Sequence, residues 1–325
     1  MTRRRAIGVL SGLLVVIALA GCATSSNAAF HSSMRSLAGA PTTTVPPTTT
    51  TTAPCTDQPG TEPASELPRP GEMPAGTYLA DIQQRGFLEV GVDENTIGFA
   101  ARNPQTAKLE GFEIALVDEI ARAIFGDPTR IRYISVVTAE KVDVVKQGKV
   151  DLTASTVSIT CERARDVAFS SMYFETVQRV MVSARSKFLR LSDLVGKKIC
   201  VTQGGTTVDK VKKVGAIPYP VEKRTDCLVA LQQGRVDAIA THDTILRGLH
   251  LQDPKGTRIL AQDQLPGEQR YGVAIAKSHP ELVGFVNGVL EQLHENGTYD
   301  RLLARYVTPL FDDSQNTVAA EGAPQ

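Results

Sequence analysis

The chain has no surplus of charge. Its 35 Lys and Arg are matched by 35 Asp and Glu. A nucleic-acid partner, which needs a basic face, is therefore not expected. Long apolar runs are also missing. The uncharged run at residues 6–21 covers 16 positions, short of the roughly 20 that a spanning helix needs. No Gly-x-Ser-x-Gly, Walker or His-Glu-x-x-His pattern occurs, so the common hydrolase, nucleotidase and metalloprotease signatures are absent. The five Cys include no Cys-x-x-Cys, and no His pair stands at helical spacing, so a zinc site is not expected. No cofactor is expected either.

What is present begins with three Arg at positions 3–5, followed by that short apolar run. This is the layout of an export leader over residues 1–21. The run ends in Leu19-Ala20-Gly21-Cys22, which resembles the lipobox of bacterial lipoproteins. The resemblance implies cleavage before Cys22 and a lipid on its thiol, placing the protein on the outer face of the cytoplasmic membrane. Losing Arg3, Arg4 and Arg5 leaves 32 basic residues against 35 acidic ones, a net charge of −3. Residues 22–76 hold few large apolar groups and include a Thr/Pro tract at 41–54. Proline fixes φ and removes donors, so this stretch reads as an extended, solvated stalk.

Setting Cys22 aside leaves Cys55, Cys161, Cys200 and Cys227. In an exported chain an even number reads as disulfides, and four Cys allow three pairings. Cys200 with Cys227 closes a loop within one region, which leaves Cys55 for Cys161.

From about residue 77 to 311 the pattern alternates strands and helices, long enough for one large domain or two small ones. Residues 87–93 read as a strand. Ile114, Leu116, Val117, Ile120 and Ile124 recur at helical spacing, and residues 131–136 are the next strand. Two segments then echo each other 86 residues apart, at 138–156 and 224–242. Each reads as helix, Gln-Gly stop, basic residue, Val-Asp and strand. The echo puts Thr156 and His242 at equivalent strand ends, where open α/β sheets bind ligands.

Residues 156–170 follow the first of these strand ends. Thr156, Ser158 and Thr160 offer hydroxyls, and Arg163 offers a guanidinium fork that matches a carboxylate. The competing reading is a surface Arg paired with Glu162 or Asp166.

Several stretches together resemble the type-3 extracellular solute-binding proteins, polar amino-acid receptors of ATP-driven importers. They are Gly91-Val-Asp93, Leu109 to Leu116, Val150-Asp-Leu with Ser158 to Arg163, Asp193 to Lys198, Gly205-Thr-Thr207, and Val236-Asp-Ala with Asp243 to Leu246. The resemblance implies an α/β, two-lobed periplasmic-binding-protein-like fold of type II. Two hinge strands join the lobes, and the ligand sits in the cleft between them. The first lobe would cover 77–183, the second 184–272 and a return to the first 273–311, with 312–325 as a flexible tail. By the same resemblance Arg163 binds the ligand carboxylate, flanked by Thr156, Val157 and Ser158. Gly205, Thr206 and Thr207 close on it from the second lobe. Asp93 falls where the family touches the ligand side chain, with Arg102 or Lys141 as a cation beside it. The family's ammonium-binding Asp lies five residues after the Asp of the Val-Asp-Ala strand. Counting from Asp237 reaches His242, with Asp243 next, so both are candidates. Aromatics that sandwich glutamine in relatives are replaced by Thr96 and Thr138.

Three functions are open to such a chain. It can be a lipid-anchored, monomeric receptor of a glutamine, glutamate, asparagine or aspartate class ligand, serving an ABC importer permease. It can be an amino-acid sensor that hands its closed state to a transmembrane partner. It can be an enzyme, since the fold has produced lyases. Among the His, only His242 is placed for chemistry, so catalysis is not expected.

Overall fold

The computed structural model describes residues 66–312. The leader, Cys22, the Thr/Pro tract, Cys55 and the tail lie outside the described residues, and so does the expected Cys55–Cys161 pairing. Cys161 itself is disulfide-bonded.

Strand Leu88–Val92 forms because its apolar residues are buried on both faces, with only Glu89 reaching outward. Parallel strands covered by helices read as such near-continuous apolar runs. It is the second strand of a five-stranded sheet ordered Ile131–Ser135, Leu88–Val92, Leu152–Thr153, Ala274–Ile275, Ala168–Phe169. The first three run parallel, and Ala274–Ile275 is antiparallel to both of its neighbours. Helix Phe112–Phe125 buries the expected Ile114, Leu116, Val117, Ile120 and Ile124 against this sheet. Helix Pro280–Glu295 adds Leu282, Phe285, Val286 and Leu290 to the same core.

The second sheet has six strands. Ile217–Val221, Lys198–Thr202 and Ala238–His242 run parallel, and Phe174–Ser183 is antiparallel beside the last of them. Alternation along these strands separates two cores. Val180, Val182, Ile199, Val201, Ala238 and Ala240 face one side. Met181, Cys200 and Ile239 face the other, with Cys227, Leu228, Leu231 and Leu246 from the helices there. This is the period-two consequence of the pleat. Cys200 and Cys227 are bonded, with their Cα atoms 5.5 Å apart.

Two strands connect the sheets, and the first crosses earlier than the boundary expected at 183. Strand Phe174–Ser183 begins in the first core, where Tyr173 and Phe174 pack with Phe99, Phe112 and Tyr271. By Val180 it lies in the second core. Strand Leu265–Tyr271 returns beside it, with Tyr271 opposite Phe174. The physical reason is the run Val180-Met181-Val182, whose apolar residues are buried on both faces of the second sheet.

The echo persists with one difference. Gly148 (φ +64°) and Gly234 (φ +67°) both take the left-handed conformation that glycine adopts without strain. The second copy has helix Arg224–Gln232, but the first has only the turn Asp143–Lys146. Before that turn Lys141 points inward, its ammonium donating to the Ser155 carbonyl at 2.7 Å.

Candidate functional site

The loop after Leu152–Thr153 bends at once. Thr156 has φ +45°, a conformation that a β-branched residue adopts only when its surroundings hold it there. Glu113, buried at the start of its helix, supplies the hold: its Oε1 accepts from the Thr156 amide at 2.5 Å and from the Tyr173 hydroxyl. Burial raises the Glu113 carboxyl pKa, against those two hydrogen bonds. The chain continues through Ser158 to Thr160, whose hydroxyl accepts from the Arg163 amide at 3.2 Å and caps the turn Cys161–Ala164. The cap aims Arg163 back across the loop. Its guanidinium donates to the Ser158 carbonyl at 2.9 Å and to the Gly204 carbonyl at 3.1 Å.

Gly204 belongs to the facing wall, between strand Lys198–Thr202 and helix Thr207–Lys213. Thr156, Ser158, Arg163, Thr138 and Lys141 from the first wall line one cavity. Thr202, Gly205, Thr206, Thr207, Arg224, His242 and Ile245 line it from the second. Its volume is about 30 Å³, room for only one or two water molecules. Thr206 ties this wall to both connecting strands, its hydroxyl donating to Gln269 at 2.9 Å and accepting from Gln178 at 2.8 Å.

His242 closes the floor. Its Nδ1 shares a hydrogen bond with the Tyr271 hydroxyl at 2.5 Å, and its Nε2 lies 3.5 Å from Ser158 Oγ. Burial, reinforced by Arg224, Lys141 and Arg163, pushes its pKa well below the usual histidine value. The ring is therefore neutral, a hydrogen-bonding group and not a cation.

Asp93 anchors a buried charge network. Arg224 lies 2.7 Å and Lys141 3.8 Å from its Oδ2. Burial opposes its charge, but the two cations prevail and hold its carboxyl below the ordinary range. Burial and the neighbouring Arg224 bring the Lys141 ammonium down to about 7.

Thus the cavity brings together Thr138, Thr156, Ser158, Arg163, Gly205, Thr206, Thr207 and His242 of the residues expected from sequence. Asp93 reaches it through Arg224 and Lys141. Val157 is buried in the adjacent apolar cluster. Thr96 is buried outside the lining, and Arg102 is exposed and paired with Glu94 at 2.7 Å. Asp243 lies between Arg247, at 3.3 Å, and Arg179, at 3.6 Å, outside the cavity lining. Sequence reasoning missed Arg224 and Glu113. Arg224 had a signal, because the 86-residue echo sets it opposite Thr138, and the two are hydrogen-bonded at 3.3 Å. Glu113 had none beyond a carboxylate on the buried face of a helix.

The profile of the bacterial extracellular solute-binding proteins, family 3, matches residues 88–309. A glutamine-binding protein of Geobacillus stearothermophilus is 32% identical over 229 residues, covering 69% of this chain and 86% of the relative. The glutamate-binding protein GluB of Corynebacterium glutamicum is 30% identical over 260 residues, covering 76% and 85%. Among solved structures, a mutant of ArgBP from T. maritima superimposes with a TM-score of 0.65 at 28% identity, covering 71% of this chain and 99% of that one. With its two-sheet fold, its connecting strands and a match across most of its length, the chain belongs to the bacterial extracellular solute-binding proteins, family 3.

Proposed function

We propose that this protein is a lipid-anchored extracytoplasmic receptor. It captures a polar amino acid of the glutamine, glutamate, asparagine or aspartate class between its two lobes and delivers it to an ABC importer. One observation carries the reading: Arg163, Ser158 and Thr156 from one wall meet Gly205, Thr206, Thr207 and His242 from the other around one cavity. The names of the glutamine- and glutamate-binding relatives point the same way. Arg163 holds the ligand carboxylate, exchanging one backbone carbonyl for a charge-assisted fork. Asp243 or the neutral His242 takes the ammonium. A micromolar affinity corresponds to about −8 kcal/mol, within reach of one carboxylate fork, one ammonium contact and several neutral bonds.

The test is calorimetry of the purified mature protein against each of the common amino acids. At least one polar amino acid is expected to bind at micromolar concentration or tighter. Absence of binding by all of them overturns the reading.

Because the cavity as described is too small for an amino acid, capture requires the walls to part and close again. Gly204 tests this movement. It has φ +71°, and a Cβ there would lie 2.6 Å from Ala139 Cα on the opposite wall. Gly204→Ala therefore wedges the closed state, beyond the local strain of about 1 kcal/mol for a positive φ. Affinity is expected to fall tenfold or more, while the ligand-free melting temperature drops by only a few degrees. Unchanged affinity would show that the bound state does not need this approach.

A further inference from the structure

Arg224 is 4% exposed, and its Nη2 serves both Asp93 and Thr138. Its Nε and Nη1 are buried without a hydrogen-bond partner among the described residues. A guanidinium left this way forfeits on the order of 1–3 kcal/mol for each unmet donor. Were Arg224 only a latch onto Asp93, its fork would face that carboxylate. It lines the cavity instead.

We infer that Arg224 reads the ligand's side chain, and that the site selects an amino acid with an acidic side chain, glutamate or aspartate, over the corresponding amide. This rests on the cavity's being an amino-acid site. The donor and acceptor inventory decides between acid and amide. Arg163, Arg224 and Lys141 offer only donors to the cavity. The two nearby carboxylates stand outside the lining: Asp93 is held by Arg224, Lys141 and the Asn95 amide, and Glu113 accepts from the Thr156 amide and Tyr173 through Oε1. A side-chain carboxylate brings acceptors alone, and can serve one of the two unmet donors, which stand on different edges of the guanidinium. A side-chain amide brings two N–H groups that none of the three cations can accept, so it must turn to the hydroxyls of the lining. A cationic side chain such as that of arginine is excluded by the same cations.

Calorimetry with glutamate, glutamine, aspartate, asparagine and arginine tests the inference on the mature protein. Wild type is expected to bind an acid at least tenfold more tightly than its amide and to show no arginine binding. Arg224→Gln should reduce the acid-to-amide affinity ratio at least tenfold. Arg224→Lys, which keeps the charge and loses the fork, should retain part of it. Asp93→Asn combined with Arg224→Gln removes the pair without leaving Asp93 buried alone, and should lose the preference as Arg224→Gln does. If wild type binds amides as well as acids, or if Arg224→Gln weakens both equally, the inference fails while the receptor reading stands. If no amino acid binds wild type, both fail.

Discussion

Arg163→Ala is expected to weaken amino-acid binding by about a thousandfold, equivalent to about 4 kcal/mol. Two charge-assisted bonds to a carboxylate contribute about 1.5–3 kcal/mol each. The guanidinium also fills the space between Ser158 and Gly204, on opposite walls. Alanine leaves the ligand carboxylate buried against an empty volume with fewer donors. Arg163→Lys should recover part of the loss, because it restores charge but not the planar fork. The turn itself should survive, since its cap is the Thr160 hydroxyl on the Arg163 amide and not the side chain. Calorimetry gives the affinity, and a thermal melt separates it from folding. A loss below tenfold, with the fold intact, would remove Arg163 as the carboxylate anchor.

Replacing Cys200 and Cys227 together by alanine is expected to cost about 3.5 kcal/mol of folding stability. Their bond closes a loop of 27 residues, and in the chain-entropy model a loop of that size confines the unfolded chain by about this amount. Both residues are buried, Cys200 fully, in the core beneath helix Arg224–Gln232. Alanine therefore adds a small packing loss in the same direction. Chemical denaturation of the two oxidised proteins measures the difference, and a change under 1 kcal/mol would mean that packing alone holds the helix. The bond also fixes the first turn of the helix that begins at Arg224 to the strand that leads to Gly204 and Gly205. Binding should weaken in the same variant, because both sides of that wall lose their shared anchor.

Strand Leu88–Val92 and helix Phe112–Phe125 were plain in the sequence, because apolar residues repeat there at the period of the element. That Thr156, Ser158 and Arg163 line one cavity was legible too, since they sit in one loop where local spacing decides what meets. The echo set Thr156 and His242 at equivalent strand ends, and both line the cavity. What sequence could not show were contacts formed only by the fold. Arg224 reaches Asp93 across 131 positions of chain, and a Lys223-Arg224 pair reads like any solvated helix start. Lys141 was weighed only as a possible cation, because nothing local shows that it turns inward. The crossing near Phe174 was placed too late, because an apolar run buried on both faces looks the same whichever sheet it joins.

Tyr271 links the two halves in a way that gives the protein an optical property. Its ring is packed among Phe99, Tyr173 and Phe174 of the first core, while its hydroxyl bonds His242 at the end of a strand in the second sheet. If capture parts the walls as proposed, this bond joins the two moving halves and is expected to break on opening. The chain contains no tryptophan to drain its excited state and only seven tyrosines. Tyr271 is thus an emitter at the junction of the two sheets, and a change in tyrosine fluorescence on adding an amino acid would report the proposed movement without any attached dye.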